Sequence, residues 1–217
     1  MTSGVAASAD PRSGARRRAG GAVLIGSVLA LAVVAIVAAG LLRRGPDRLH
    51  GVSADGRPPA PAVVLRDQRG APFRLSDARG NVVLLVFGYT NCPDACPLTL
   101  ATWAEARGLL ADDARRVRFV FVSVDPVRDS PVQIGRFVAQ FDPAFVGVTG
   151  PSADVEDVVV GFGAYARTTE AGHGGATVIA HSEATFLIDQ DGRLVEVLPR
   201  GTSAADIASD VRLVLGR

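Results

Sequence analysis

The chain has no lysine: all 23 basic residues among its 217 are arginine, a compositional bias with no chemistry of its own. Its only methionine is the first residue, which excludes methionine-based copper carriage and a blue-copper site with an axial methionine. Cysteine is scarce, two in the whole chain, so neither a four-thiolate zinc site nor a four-thiolate iron–sulfur cluster can be completed. No Cys-x-x-Cys-His run occurs, which excludes covalently attached haem. An excess of positive charge is also missing. The net charge is +1, and beyond the first 44 residues the chain carries 17 basic against 21 acidic residues. A polyanion-binding domain shows the opposite balance, so nucleic acid is excluded as a partner. Finally, no proline lies between Pro151 and Pro199.

What is present begins with an uncharged run of 24 residues, Ala19–Leu42. At 1.5 Å per residue a helix of this length spans roughly 36 Å, enough for a bilayer core of about 30 Å. The apolar region of a cleaved leader is about 7–15 residues, so a retained single-pass anchor is expected. Arg12 and Arg16–Arg18 precede the run and Arg43, Arg44 and Arg48 follow it. Positive charge therefore favours a cytoplasmic N-terminus only slightly. No cysteine lies near the run, which argues against a lipid anchor. The expected organisation is a disordered cytoplasmic tail (1–18), a transmembrane anchor (19–42), a Gly/Pro-rich linker (43–60) and one domain (61–217) on the extracytoplasmic side of the cell membrane. There a dithiol can become a disulfide.

The two cysteines, Cys92 and Cys96, lie in FGYTNCPDACPLTL. A Cys-x-x-x-Cys pair alone in a chain serves a soft metal, a disulfide, or both in turn. With zinc and cluster sites unfilled, a linear or three-coordinate copper site completed by one histidine is the remaining metal reading. A purely structural bridge here closes a tiny loop and stabilises little.

Apolar patterning orders the elements. A short hairpin is expected from Ala62–Arg66 and Pro72–Leu75, and a strand buried on both faces from Asn81–Gly88. The cysteine loop leads into a helix over about Leu98–Asp112, with Pro97 as its first residue. Val117–Val124 is a second central strand. A helix capped by Ser130 runs from Pro131 to Phe141, followed by a short strand, Phe145–Thr149, and a helix, Ala153–Tyr165. Glu183–Asp189 and Arg193–Pro199 pair as a hairpin, and Ser203–Leu215 closes with a helix. This is the order of a thioredoxin-like α/β sandwich with a central mixed sheet. It places the cysteines at a helix N-terminus, where the dipole favours thiolate, with α-carbons about 6 Å apart and within disulfide reach.

His181, in TVIAHSEATFLID, stands where such folds face the cysteine turn and where thiol–disulfide enzymes carry a cis-proline. A neutral imidazole there suits a third copper ligand. His173, in EAGHGGAT, reads as a loop histidine, and His50 falls in the linker without a role. In DPVRDSP, Asp129 serves the turn and the helix start, with Arg128 available for pairing. Trp103 has core spacing.

FGYTNCPDACP, VSVDPVRDSP and HS…FLID together resemble the SCO/SenC family of copper-binding, thioredoxin-like proteins over Val63–Leu215. The resemblance implies a membrane-anchored metallochaperone that helps build the binuclear copper centre of cytochrome c oxidase. Carried over, the ligands of Cu(I) or Cu(II) are Cys92, Cys96 and His181, and Cys92 and Cys96 form the redox disulfide. The resemblance also implies that the DPVRDSP turn lies near the copper loop, with Asp125 the candidate to orient it. The implied partners are oxidase subunit II, a thioredoxin-like reductant and another copper donor. Two positions depart from the family pattern: Ala180 where aspartate is frequent, and Thr177 where tyrosine is. The second function class is an enzyme, an extracytoplasmic thiol–disulfide oxidoreductase that keeps exported cysteines reduced.

Overall fold

The computed structural model describes residues 49–169 and 178–216. The expected anchor and cytoplasmic tail, His173 and Thr177 lie outside the described residues. Among the described residues, no helix is long and apolar enough to cross a membrane.

The centre of the fold is β4 (Val82–Gly88), whose seven residues are all buried. A strand without a polar face needs cover on both sides of its sheet. It runs parallel to β5 (Val117–Ser123), with Val82 opposite Val117 and Gly88 opposite Ser123. β5 in turn runs parallel to β6 (Val146–Thr149). On the other flank β4 is antiparallel to β9 (Thr185–Ile188), which pairs with β10 (Leu194–Leu198). The outer strands are β1 (Val52–Ser53) beside β10, and the hairpin of β2 (Val64–Asp67) and β3 (Pro72–Arg74) beside β6. Together they form one eight-stranded mixed sheet in the order β1-β10-β9-β4-β5-β6-β2-β3. Two parallel crossovers supply helices: α1 (Ala95–Leu110) between β4 and β5, and α2 (Pro131–Ala139) between β5 and β6. α3 (Ser152–Gly161) follows β6, and α4 (Ala204–Val214) ends the fold, packed on α1. This is the expected thioredoxin-like mixed-sheet architecture.

Local chemistry explains the element boundaries. Ser130 caps α2 through a reciprocal capping box with Gln133, and Pro131 takes the first helical position. Ser203 accepts from the Asp206 N–H and caps α4. Trp103 is fully buried against Phe119 and Phe145 at centroid distances of 5.7 and 6.0 Å, a core residue as its spacing indicated.

Three expectations need correction. First, α1 begins at Ala95, with Pro97 as its third residue and Cys96 inside the first turn. Proline is tolerated there because the first N–H groups of a helix have no intrahelical partner to lose. Second, the described part of the expected linker, residues 49–60, is pinned to the domain. Ala54 N–H donates to Val195 O, Ala60 N–H to Gly192 O, and β1 extends the sheet. Its Gly and Pro content marks turns along a sheet edge. Third, β7 (Ala166–Thr169) and β8 (Val178–His181) form a separate antiparallel ribbon. Their sequences, ARTT and VIAH, are too short and too mixed to read as strands.

Candidate metal centre

The site sits at the C-terminal end of β4, where the chain turns through Tyr89-Thr90-Asn91-Cys92 into α1. Cys92 N–H donates to Tyr89 O at 3.2 Å, which closes that turn. Cys96 N–H points at Cys92 Sγ at 3.5 Å, a first-turn donor satisfied by sulfur. From across the cleft, β8 delivers His181, whose Nε2 lies 3.7 Å from Cys96 Sγ. The Sγ atoms of Cys92 and Cys96 and the imidazole nitrogen of His181 all lie within 4.8 Å of one another, and all three residues are buried. Both cysteines are free thiols.

Neighbouring groups orient these side chains. His181 Nδ1 lies 3.0 Å from its neighbour's carbonyl, Ser182 O. Donation to that oxygen places the ring proton on Nδ1 and leaves the Nε2 lone pair facing the sulfurs. The Tyr89 ring meets the His181 ring edge-on at 5.7 Å and 89°, while the Tyr89 hydroxyl accepts from Ile179 N–H at 3.4 Å. Tyr89, the residue that starts the cysteine turn, thereby also supports the histidine strand. Gly88 makes room for the Cys96 sulfur: a β-carbon there would stand 2.7 Å from Sγ.

Asp129 is the polar hub of the cysteine loop. Fully buried, it accepts from Thr90 N–H at 2.9 Å, from the Thr90 hydroxyl at 2.5 Å and from the Ser123 hydroxyl at 2.7 Å. These bonds tie the loop to the end of β5. From sequence, Asp125 was the candidate for this task and Asp129 only a turn residue. The structure gives the direct contact to Asp129. Asp125 pairs with Arg128, whose guanidinium stands 6.0 Å from the centre of the Tyr89 ring, and the Asp125 N–H donates to the Ser123 hydroxyl. The spacing Asp-x-x-x-Asp did not distinguish them; the serine at position 123, one strand end away, was the available signal.

The thiol electrostatics also differ from expectation. Burial pushes the Cys96 thiol well above its ordinary value, outweighing the lowering by the Tyr89 backbone amide, and the nearby Cys92 and Glu183 add to the rise. The charged form is disfavoured because the sulfur has left water. The lowering expected from the helix N-terminus is outweighed at Cys96 by burial. A soft cation that bonds to the sulfur supplies the missing compensation, and binding then releases a proton.

Cys92 and His181 line an open cleft of about 560 Å³ bounded by Tyr89, Pro93, Tyr165 and Val178. Soft-metal bonds of about 2.0–2.3 Å require only a modest inward shift of the three donors. The site can thus hold an ion on two sulfurs and one nitrogen, open on one side.

A thioredoxin-like α/β domain with a buried Cys–Cys–His cluster at the end of its central strand is the class that fold and site define. The SCO1/SenC family model matches residues 59–216, and the chain belongs to that family. It is 34% identical over 133 residues to an SCO2-like protein of Rickettsia conorii, covering 61% of this chain and 65% of that one. The structure of Bradyrhizobium japonicum ScoI with copper bound is 30% identical with a TM-score of 0.66, the alignment covering 71% of this chain and 98% of that protein. Apo Sco1 from Thermus thermophilus is 32% identical with a TM-score of 0.69, covering 77% and 97%.

Proposed function

We propose that this protein is a copper carrier of the cell membrane that matures the binuclear copper centre of cytochrome c oxidase, with subunit II as recipient. In this reading Cys92, Cys96 and His181 hold the ion. One observation carries it: two sulfurs and an imidazole nitrogen gathered within 4.8 Å in a buried cluster. Thiolate plus imidazole is a donor set copper prefers. Family membership and a copper-bound relative at 30% identity support the choice of metal. The open cleft supports delivery, because an acceptor's ligands can approach from that side and replace these one at a time.

Anchoring is part of the proposal. The 24-residue run Ala19–Leu42 would hold the domain at the outer face of the membrane, near its recipient. A copper donor would load the site, and a thioredoxin-like reductant would keep the cysteines reduced.

The second reading, a thiol–disulfide oxidoreductase, is favoured by two free thiols lying so close together. A target disulfide would accept two electrons and two protons, its S–S bond breaking to give two thiols, as Cys92 and Cys96 give them up and join in a new S–S bond. Burial of Cys96 works against it, since thiolate is the attacking species. The two readings part at His181. Under copper delivery, cells carrying His181→Ala and grown in limiting copper lose oxidase activity, while the purified variant still forms the Cys92–Cys96 disulfide. Full oxidase activity of His181→Ala in limiting copper would contradict delivery and leave the oxidoreductase.

A further inference from the structure

Arg200 lies in the turn after β10, far in sequence from every metal ligand, yet its side chain joins both ligand-bearing segments. One nitrogen, Nη2, donates to Asp94 Oδ2 at 2.7 Å, and the other, Nη1, to Glu183 Oε2 at 3.1 Å. Asp94 sits midway between Cys92 and Cys96, and Glu183 two residues beyond His181. Among the described residues no backbone hydrogen bond joins Asn91–Cys96 to His181–Glu183. The turn that presents Arg200 is itself fixed, Gly201 taking φ +87° and Thr202 bonding back to Pro199 O through its amide and its hydroxyl.

Asp94 gives a second, independent sign. It is the N-cap residue of α1, a position where an aspartate side chain ordinarily accepts from the first-turn amides. Here its side chain makes no cap bond and turns outward to Arg200. A local stabilising bond has been exchanged for one that crosses to another segment. A planar guanidinium with two donor edges suits this task, since it can hold two carboxylates at a set spacing.

We infer that Arg200 is a clasp: through Asp94 and Glu183 it holds the Cys92–Cys96 turn against His181 and so sets the spacing of the three metal donors. The inference rests on the reading of those three residues as the copper site. Arg200 touches no donor atom and is a positioning residue. Its ion pairs are solvent-facing, so each contributes modestly. What they govern is the geometry of the site more than the stability of the domain.

The test compares the full chain in detergent with Arg200→Met, Arg200→Lys, Asp94→Asn and the Arg200→Met/Asp94→Asn pair. Cu(I) affinity is read by competition with a chelating dye, and thiol access by the rate of iodoacetamide alkylation of the reduced, copper-free protein. Arg200→Met is expected to weaken copper about two- to fivefold and to speed alkylation by a similar factor. The thermal midpoint of the copper-free chain stays within about 1 °C, as expected of a surface substitution. Arg200→Lys recovers part of both effects, and the pair is no worse than Arg200→Met because both remove the same link. Unchanged affinity and unchanged alkylation in Arg200→Met overturn the clasp, as does a fall in thermal midpoint that accounts for both changes. Failure of the parent chain to bind Cu(I) removes the copper reading instead, and the alkylation rates still decide the clasp.

Discussion

A β-carbon on Gly88 would stand 2.7 Å from Cys96 Sγ and 2.6 Å from the Phe121 ring. The last residue of β4 is therefore glycine because a sulfur and an aromatic ring occupy the space a side chain would fill. Gly88→Ala overpacks this point, and insertions of that size cost about 1–3 kcal/mol, a fall in thermal midpoint of roughly 2–10 °C for a domain of this size. The same shift moves Cys96 Sγ away from the other donors, so copper affinity falls as well. Gly108→Ala provides the contrast. Its β-carbon meets nothing within 4 Å, and alanine is the better residue inside α1, by up to about 1 kcal/mol. Calorimetry and copper titration of the two variants should move in opposite directions for stability, with only Gly88→Ala impaired in copper binding. Equal copper affinity in Gly88→Ala and the parent would show that Cys96 does not need that space. Cys92, Cys96 and His181 stood out from sequence as candidate ligands because few residue types bind soft metals, and the fold gathers them. Gly88 and Asp129 did not, since what they do depends on neighbours brought close only by the fold.

At the scale of elements, long apolar runs were legible and edge strands were not. VVLLVFG and VRFVFVS announce buried strands by composition alone. Val52–Ser53 joins the sheet through two residues at a Gly/Pro-rich edge, too little pattern to read. That edge carries a charge cluster, buried at Asp210 and Glu196 and open to solvent at His50, whose histidine the sequence reading left in the linker. His50 Nδ1 lies 2.7 Å from Asp210 Oδ1 and its Nε2 3.2 Å from Asp206 Oδ1. Glu196, in β10, accepts from Gly51 N–H at 2.9 Å, while its other oxygen is buried without a donor. Burial, followed by the neighbouring Asp210 carboxylate, pushes Glu196 up to about 7. A proton on Glu196 relieves both problems by giving Asp210 a donor. His50 is raised as well, chiefly by its bond to Asp210. Both groups hold protons more tightly folded than unfolded, so their stabilisation is complete below the unfolded values and lost as pH rises through the folded ones. Stability from Glu196 thus declines between about pH 4.5 and 7, and that from His50 declines above its ordinary value near 6.5. Glu196→Gln keeps the shape without the charge. Urea unfolding at pH 5, 6, 7 and 8 should show a shallower decline for this variant, which is more stable than the parent at pH 8. Parallel profiles for the two proteins would mean that Glu196 is not the group that titrates.

At the scale of the whole molecule, the eight-stranded mixed sheet and the separate β7–β8 ribbon together bring three remote stretches of chain into one place. β4 ends at the cysteine turn, β8 ends at His181, and the Asp129 turn after β5 braces the first of these. The order of elements was readable because strands and helices alternate with distinct periods. The ribbon of β7 and β8 that carries His181 was not, and the histidine's position opposite the cysteines came from the place of its loop in the fold. Copper delivery, the central proposal for the chain, depends on the cleft accepting copper. The most direct measurement is the metal content of the reduced full-length chain in detergent after exposure to Cu(I) and removal of excess. The account predicts one copper per chain, none in Cys92→Ser/Cys96→Ser, and almost none after the cysteines are oxidised to a disulfide, which offers no thiolate. Undiminished copper in the double serine variant would contradict it.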